Sequence, residues 1–342
     1  MKVTIGVDVG GTTTAAGLVG PDGAVLAEAS APTHHRGPGT AGETILELIA
    51  SVRARALEKN LEVLGIGLGV PGVVDVTSGR VGTEALHVPE LAWRPLGPMV
   101  AERFQVPTFV DNDVNAQALG EWFFGAGRGA RSLVVLALGT GLGAGIVLEG
   151  RLIRGAEGFG GELGHSPVKF DGRPCWCGGR GCLAVYASGR GIAEAARARV
   201  AGHPEEPLLV GAGGDPMRIT ARLVFSAAAE GDPTAAGIVE EACVALGAMI
   251  GIVVNGLNPE LVILTGGVAA SLAPLENRVL RAAEGFAFER ALARTAIRIA
   301  PGDKRLTARG GAALVLYETA RAEGASFAAS SGRENPREES GA

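Results

Sequence analysis

The chain has 342 residues, of which 47% are hydrophobic and 20% charged, with a formal net charge of −5. That length permits a large core and suggests two domains, and the acidic balance argues against a nucleic-acid surface. No apolar run reaches the ~18 residues of a membrane span, and residues 1–10 lack the charged and apolar zones of a signal peptide, so a soluble cytoplasmic protein with reduced cysteines is expected.

Residues Lys2 to Val9 alternate as a short apolar strand that runs into Gly10, Gly11, Thr12, Thr13 and Thr14. A second apolar strand is expected from Ala15 to Val19, and three short strands fill residues 3–29. An acidic residue near a strand end, followed by two glycines and hydroxyls, makes a turn whose N–H groups can face a phosphate. Asp8 would meet a magnesium ion there, since hard cations prefer carboxylate oxygen. This is not a Walker A loop, because no lysine follows and a strand comes next. Thr40 to Lys59 reads as a helix, with Ile45, Leu48, Ile49 and Val52 at helical spacing. Leu64 to Val70 is a buried strand ending at Pro71 and Gly72, and Thr108 to Val110 is another.

A helix follows from about Val114 to Phe123, so Asp111, Asn112 and Asp113 lie where a strand gives way to a helix. One of them caps the helix. Capping explains one acidic side chain, not two with an amide between them. A kinase acting on a hydroxyl needs a carboxylate to accept the hydroxyl proton, and an amide suits vicinal sugar hydroxyls. Asn115 braces the helix start. Residues 132–155 form a hairpin whose turn, Gly139-Thr140-Gly141, repeats the first glycine turn. A third such turn, Thr265-Gly266-Gly267, follows the strand Leu261 to Leu264. Three turns of this kind point to two related halves closing on a nucleotide, with one turn from each half at the phosphates and the third at the adenosine.

Between the second and third turns, Cys175, Cys177 and Cys182 sit within one glycine-rich segment, and His165 precedes them. One imidazole and three thiolates are what a closed, structural zinc site needs. Four protein ligands leave no open position, so the ion would brace the segment that carries Glu162 and His165. Helices are expected at about 188–200, 218–230 and 234–255, a strand at Ala296 to Ile299, and a closing helix from about Ala308. The segment from about Ala325 is polar and small, which predicts a disordered tail over 325–342.

The motifs V-D-V-G-G-T at 7–12, G-V-P-G at 69–72, D-N-D-V-N-A at 111–116, G-T-G-L-G-A-G at 139–145, G-E-L-G-H at 161–165, C-W-C-G-G-R-G-C at 175–182 and L-T-G-G-V at 264–268 occur in one order. In this the chain resembles the ROK family of sugar kinases and repressors, within the actin-like ATPase superfamily, over roughly residues 3–320. The resemblance implies an α/β, two-domain actin-like ATPase (ribonuclease H-like) fold with the active site in the interdomain cleft. It implies a smaller domain of residues 1–118 plus about 306–324, and a larger one of 119–305 carrying the zinc-binding loop. It makes Asp113 the base, and gives Gly72, Asn112, Asp113, Glu162 and His165 to the sugar. Asp8, Gly10, Gly11, Thr12, Thr13, Gly139, Thr140, Gly141, Gly266 and Gly267 go to ATP, with magnesium accompanying the nucleotide. His165 would also join Cys175, Cys177 and Cys182 on the zinc.

The implied reaction is ATP-dependent phosphorylation of a hexose at its 6-hydroxyl, with glucose the favoured acceptor. Acceptors such as N-acetylmannosamine, N-acetylglucosamine or fructose are the alternative. A non-catalytic sugar-binding regulator ranks below both. Family repressors carry a helix-turn-helix before the first phosphate turn; here that strand starts at Val3. The implied partners are hexose and ATP, without nucleic acid or membrane, in a homo-oligomer (dimer or tetramer). Two positions depart from the family pattern. Ala184 stands two residues after the last zinc cysteine, where a glutamate near the anomeric end of the sugar is usual, and His87 stands where an asparagine is common.

Overall fold

The computed structural model of the chain describes residues 1–83, 85, 87–300, 302 and 304–324, so the expected tail at 325–342 lies outside the described residues. The strands are β1 (Lys2–Val9), β2 (Thr13–Val19), β3 (Val25–Pro32), β4 (Glu62–Val70), β5 (Val74–Asp75), β6 (Arg80–Val81) and β7 (Thr108–Asn112) in the first part of the chain. In the second part come β8 (Leu133–Leu138), β9 (Leu142–Leu148), β10 (Arg151–Leu152), β11 (Leu261–Thr265) and β12 (Ala296–Ile299). They form two five-stranded sheets, ordered β3-β2-β1-β4-β7 and β10-β9-β8-β11-β12, beside the short β5-β6 pair. Each sheet pairs its first three strands antiparallel and its last three parallel. The repeated glycine turns therefore belong to two copies of one topology.

Helices α1 (Ala41–Glu58), α2 (Leu96–Phe104) and α3 (Asp113–Phe124) accompany the first sheet. With the second go α4 (Ala184–Ala187), α5 (Gly189–Val200), α6 (Pro207–Gly211), α7 (Ala221–Ala229), α8 (Pro233–Leu257), α9 (Gly267–Leu272), α10 (Glu276–Glu284) and α11 (Glu289–Leu292). The chain returns in α12 (Lys304–Ala322). Helix α1 buries Ile45, Leu48, Ile49 and Val52 as their spacing requires. Helix α2 adds an element to those expected from the sequence. Pro98 is the third residue of the helix, where its missing N–H has no partner to lose. Helix α8 is long and apolar enough to cross a membrane, but 72% of its most apolar window is buried inside the protein. It is a core helix of the second half, packed against α10, α7 and α5.

A third apolar cluster joins the two sheets. It holds Leu119 and Trp122 of α3, Leu133 and Val135 of β8, Ile263 of β11, and Leu314 and Tyr317 of α12. Helix α12 lies directly on β1 and β4, backbone against backbone. A Cβ on Gly6 would overlap the carbonyl of Ala308, and one on Gly67 would overlap that of Gly311. Only glycine permits so close an approach.

Candidate active site

The three glycine turns stand at strand ends. In the first, Gly10 N–H donates to Thr13 O at 3.1 Å, and Thr33 Oγ1 donates to Gly10 O at 2.5 Å. Strand β2 begins at Thr13 rather than Ala15, so the hydroxyls divide. Thr12 and Thr13 are exposed, whereas Thr14 is buried with its Oγ1 3.0 Å from that of Thr33. In the second turn Gly139 N–H donates to Gly141 O at 3.0 Å, leaving Thr140 and Gly141 exposed. The start of α5 holds this turn: Gly189 N–H reaches Gly139 O at 2.8 Å and Arg190 N–H reaches Thr140 O at 3.0 Å. In the third, Gly266 has φ +102° and a Cβ there would lie 2.5 Å from Leu138 O, which binds this turn to the end of β8.

The glycines differ in what demands them. A Cβ on Gly10 would meet Thr13 O at 2.7 Å, and one on Gly11 would meet the His87 side chain at 2.9 Å. A Cβ on Gly141 or Gly267 would meet nothing within 4 Å, and one on Gly139 only Gly141 O at 3.9 Å. The fold has no need of glycine at these last three positions, so the space they leave is available to a ligand. Gly139, Thr140 and Gly267 line one cavity of about 650 Å³, within the range of small-molecule sites. Arg190, Arg222 and Ser271 also stand in its wall. Sequence reasoning missed these three, because no motif marks them.

At the start of α3 the cap is Asn112. Its Oδ1 accepts N–H bonds from Val114 at 2.9 Å and Asn115 at 3.2 Å. Its Nδ2 donates to Gly72 O at 3.1 Å, tying the Pro71-Gly72 turn to the helix. With Oδ1 used by the cap, the amide nitrogen is the group left to meet a hydroxyl. Asp111 is buried, and its Oδ1 accepts from Asn112 N–H at 2.7 Å and Asn115 Nδ2 at 3.0 Å. Asn115 thus braces the helix start as expected. The other oxygen of Asp111 accepts from Arg154 Nε at 2.7 Å. Asp113 is the first residue of α3. Burial, then the negative charges of Asp8 and Glu162, push its carboxyl up to about 7. Burial also lifts Asp8 to about 6. Carboxylates from β1, from α3 and from the loop before His165 therefore share one electrostatic site, and Asp113 titrates where a general base works well.

Glu162 is exposed and leads a short 3-10 turn, Leu163–His165, in which His165 N–H donates to Glu162 O at 3.0 Å. The loop is pressed onto β9 at Gly161, which has φ +98° and whose Cβ would overlap Ala144 O. Beyond it, ligand atoms of His165, Cys175, Cys177 and Cys182 all lie within 4.8 Å of one another. Cys175 Sγ is 3.5 Å from His165 Nδ1, and Cys177 Sγ is 3.7 Å from Cys182 Sγ. Zn–S bonds of ~2.3 Å at tetrahedral angles put sulfurs roughly 3.8 Å apart, so the donor set fits zinc. Burial pushes the Cys182 thiol up to about 12 and raises that of Cys175, while the Gly179 N–H lowers that of Cys177. Three crowded thiols of this kind ionise together only with a cation among them. Arg190 stacks on Trp176, 4.3 Å from the ring centre, and so connects this loop with the second glycine turn. Ala184 is buried in the apolar core beneath the loop, 1% exposed, and offers no polar group.

A profile of the ROK family matches residues 4–318. The chain is 36% identical over 307 residues to a glucokinase of Halalkalibacterium halodurans, covering 86% of this chain and 89% of that one. It is similar to the crystal structure of a Streptomyces griseus ROK family glucokinase in complex with glucose and AMPPNP: TM-score 0.69, 33% identity, 91% of this chain and 98% of that one. A ROK hexokinase of Thermus thermophilus aligns with TM-score 0.76 and 29% identity over 93% of this chain and 99% of that one.

Proposed function

The chain belongs to the ROK family, and on that premise we propose that it is an ATP-dependent glucokinase, converting glucose and ATP to glucose 6-phosphate and ADP. The observation that carries this reading is Asp113, a carboxylate at a helix start whose proton affinity is raised to about 7 beside Asp8 and Glu162. In the reaction the 6-hydroxyl oxygen attacks the γ-phosphorus, the bond to the ADP oxygen breaks, and Asp113 takes the hydroxyl proton. Gly72, Asn112, Glu162 and His165 hold the sugar. The turns Gly10–Thr13 and Gly139–Gly141 receive the phosphates through backbone N–H groups other than those of Gly10 and Gly139, which bond within the turns, and Gly266 and Gly267 border the adenosine. Magnesium bound with the nucleotide would neutralise phosphate charge, and Asp8 would supply a carboxylate to it. His165, Cys175, Cys177 and Cys182 would hold zinc, which would brace the loop that aims Glu162 and the second ring nitrogen of His165. In this reading residues 1–118 with 306–324 move as the smaller body against 119–305, and the substrates lie between them.

Ala184 favours a second reading with the same chemistry and another acceptor. Where a carboxylate near the anomeric end of the sugar is usual, this chain has a buried methyl group. ADP release measured across glucose, fructose, mannose, N-acetylglucosamine and N-acetylmannosamine separates the two. Glucose as the substrate with highest kcat/KM supports the glucokinase reading. An N-acetylated or keto sugar tenfold better than glucose overturns it in favour of the second.

A further inference from the structure

We infer that Arg154 is a positioning residue that sets the base and the sugar-holding loop relative to each other, an inference that rests on the function proposed for Asp113 and Glu162. Its side chain is 12% exposed, and its guanidinium spans two carboxylates from different elements. Nε and Nη2 both reach Asp111 Oδ2 at 2.7 Å, and Nη2 reaches Glu318 Oε1 of α12 at 2.5 Å. The side chains of Asp111 and Glu318 are 2% and 15% exposed, so the triad is withdrawn from solvent. Charge-assisted bonds of a planar fork to buried carboxylates fix direction as well as distance.

Two contacts of Arg154 lead to the chemistry, one through its side chain and one through its backbone. Asp111 passes the contact to α3 through its other oxygen, which accepts from Asn112 N–H and Asn115 Nδ2. Asp113 lies between those two residues. The backbone of Arg154 acts on the other side, where its carbonyl accepts Gly160 N–H at 2.8 Å and closes the loop that delivers Gly161 and Glu162. Ile153 N–H, one residue before, is fixed to Ile146 O of β9 at 2.8 Å. One residue therefore ties the start of α3 to the Glu162 loop, while α12 anchors it through Glu318. A lysine there keeps the charge and loses the fork; a glutamine leaves Asp111 as a buried carboxylate without its cation.

The test compares Arg154→Gln, Arg154→Lys, Glu318→Gln and Asp113→Asn in the full-length enzyme, with the amount of folded protein normalised by Mg-ATP titration calorimetry. Arg154→Gln is expected to lower kcat at least tenfold while the KM for ATP changes less than twofold, since the glycine turns do not depend on the triad. Arg154→Lys recovers part of that kcat. Glu318→Gln lowers Tm and keeps kcat within twofold, because the Arg154–Asp111 contact survives. Wild-type kcat in Arg154→Gln, or an equal kcat loss in Glu318→Gln, overturns the inference and leaves the triad a cohesive contact only. Should Arg154→Gln fail to fold, Arg154→Lys decides alone: an unchanged kcat overturns the inference and a kcat-selective loss supports it. Wild-type turnover in Asp113→Asn instead removes the reading of the base itself, and this inference with it, whatever the Arg154 variants do.

Discussion

At the scale of single residues, three neighbours of one type pattern have three different tasks. Asp111, whose carboxyl burial also raises, is tied to Arg154 and Asn115, Asn112 caps α3, and Asp113 carries a carboxyl raised to about 7 with no cation on it among the described residues. The pattern D-N-D made a base legible in the sequence, and the hydroxyl chemistry of the resemblance singled out Asp113. The part played by Arg154 was not legible, because its partners are 43 and 164 residues away and no motif contains it. The raised carboxyl has a thermodynamic consequence. The folded protein holds this proton more tightly than the unfolded chain, so the group opposes folding increasingly as pH rises from about 4 to about 7. Holding a carboxyl of ordinary value 3.8 at about 7 costs at most ~4 kcal/mol at pH 8. Asp113→Asn is therefore expected to raise Tm at pH 8 while lowering kcat by ~10² or more. Calorimetric scans at pH 5 and pH 8 check this: a gain in Tm confined to the higher pH is predicted, and a lower Tm at pH 8 contradicts it. For the wild type, kcat/KM for the sugar is expected to fall below about pH 7 as the base takes up its proton.

At the scale of elements, glycine turns and the cysteine segment are short, local and chemically loud, and they were readable. Helix α2 was not, because a proline inside its first turn reads as a break and only tertiary packing of Leu96, Val100 and Phe104 reveals the helix. Nor could the sequence tell structural glycines from ligand-facing ones, a distinction made by what surrounds each Cα. Gly141→Ala meets open space, so stability is expected to stay within about 1 kcal/mol of wild type while Mg-ATP affinity drops about tenfold. Gly67→Ala drives a methyl into the Gly311 carbonyl of α12, with an expected loss of about 3 kcal/mol or more, because two backbones have no rotamer to relax into. Urea melts and calorimetry on the two variants read both effects; equal losses of stability would remove the distinction. In the cysteine segment, Cys177→Ser is expected to lose zinc by atomic absorption and to weaken sugar binding more than Mg-ATP binding. Wild-type sugar affinity in zinc-free protein contradicts that role.

At the scale of the whole molecule, two sheets of one strand order place corresponding glycine turns after β1 and after β8. The repeat was visible in the sequence as a recurring strand, glycine turn and strand. Its completion was not, since β11 joins β8 only after more than a hundred residues of helix and loop, and β12 then joins β11. The same topology explains why α12 matters: it crosses back over β1 and β4, reaches α3, and brings Glu318 to Arg154. Everything proposed here converges on one event, transfer of a phosphoryl group to a sugar hydroxyl with Asp113 as the base. The direct measurement is the rate of glucose 6-phosphate formation from glucose and Mg-ATP, followed by coupled oxidation of the product, in wild type and in Asp113→Asn of verified fold. Steady turnover is expected in the first and a rate at least about a hundredfold lower in the second. Equal rates in the two proteins, or no phosphorylated glucose from the wild type, would contradict it.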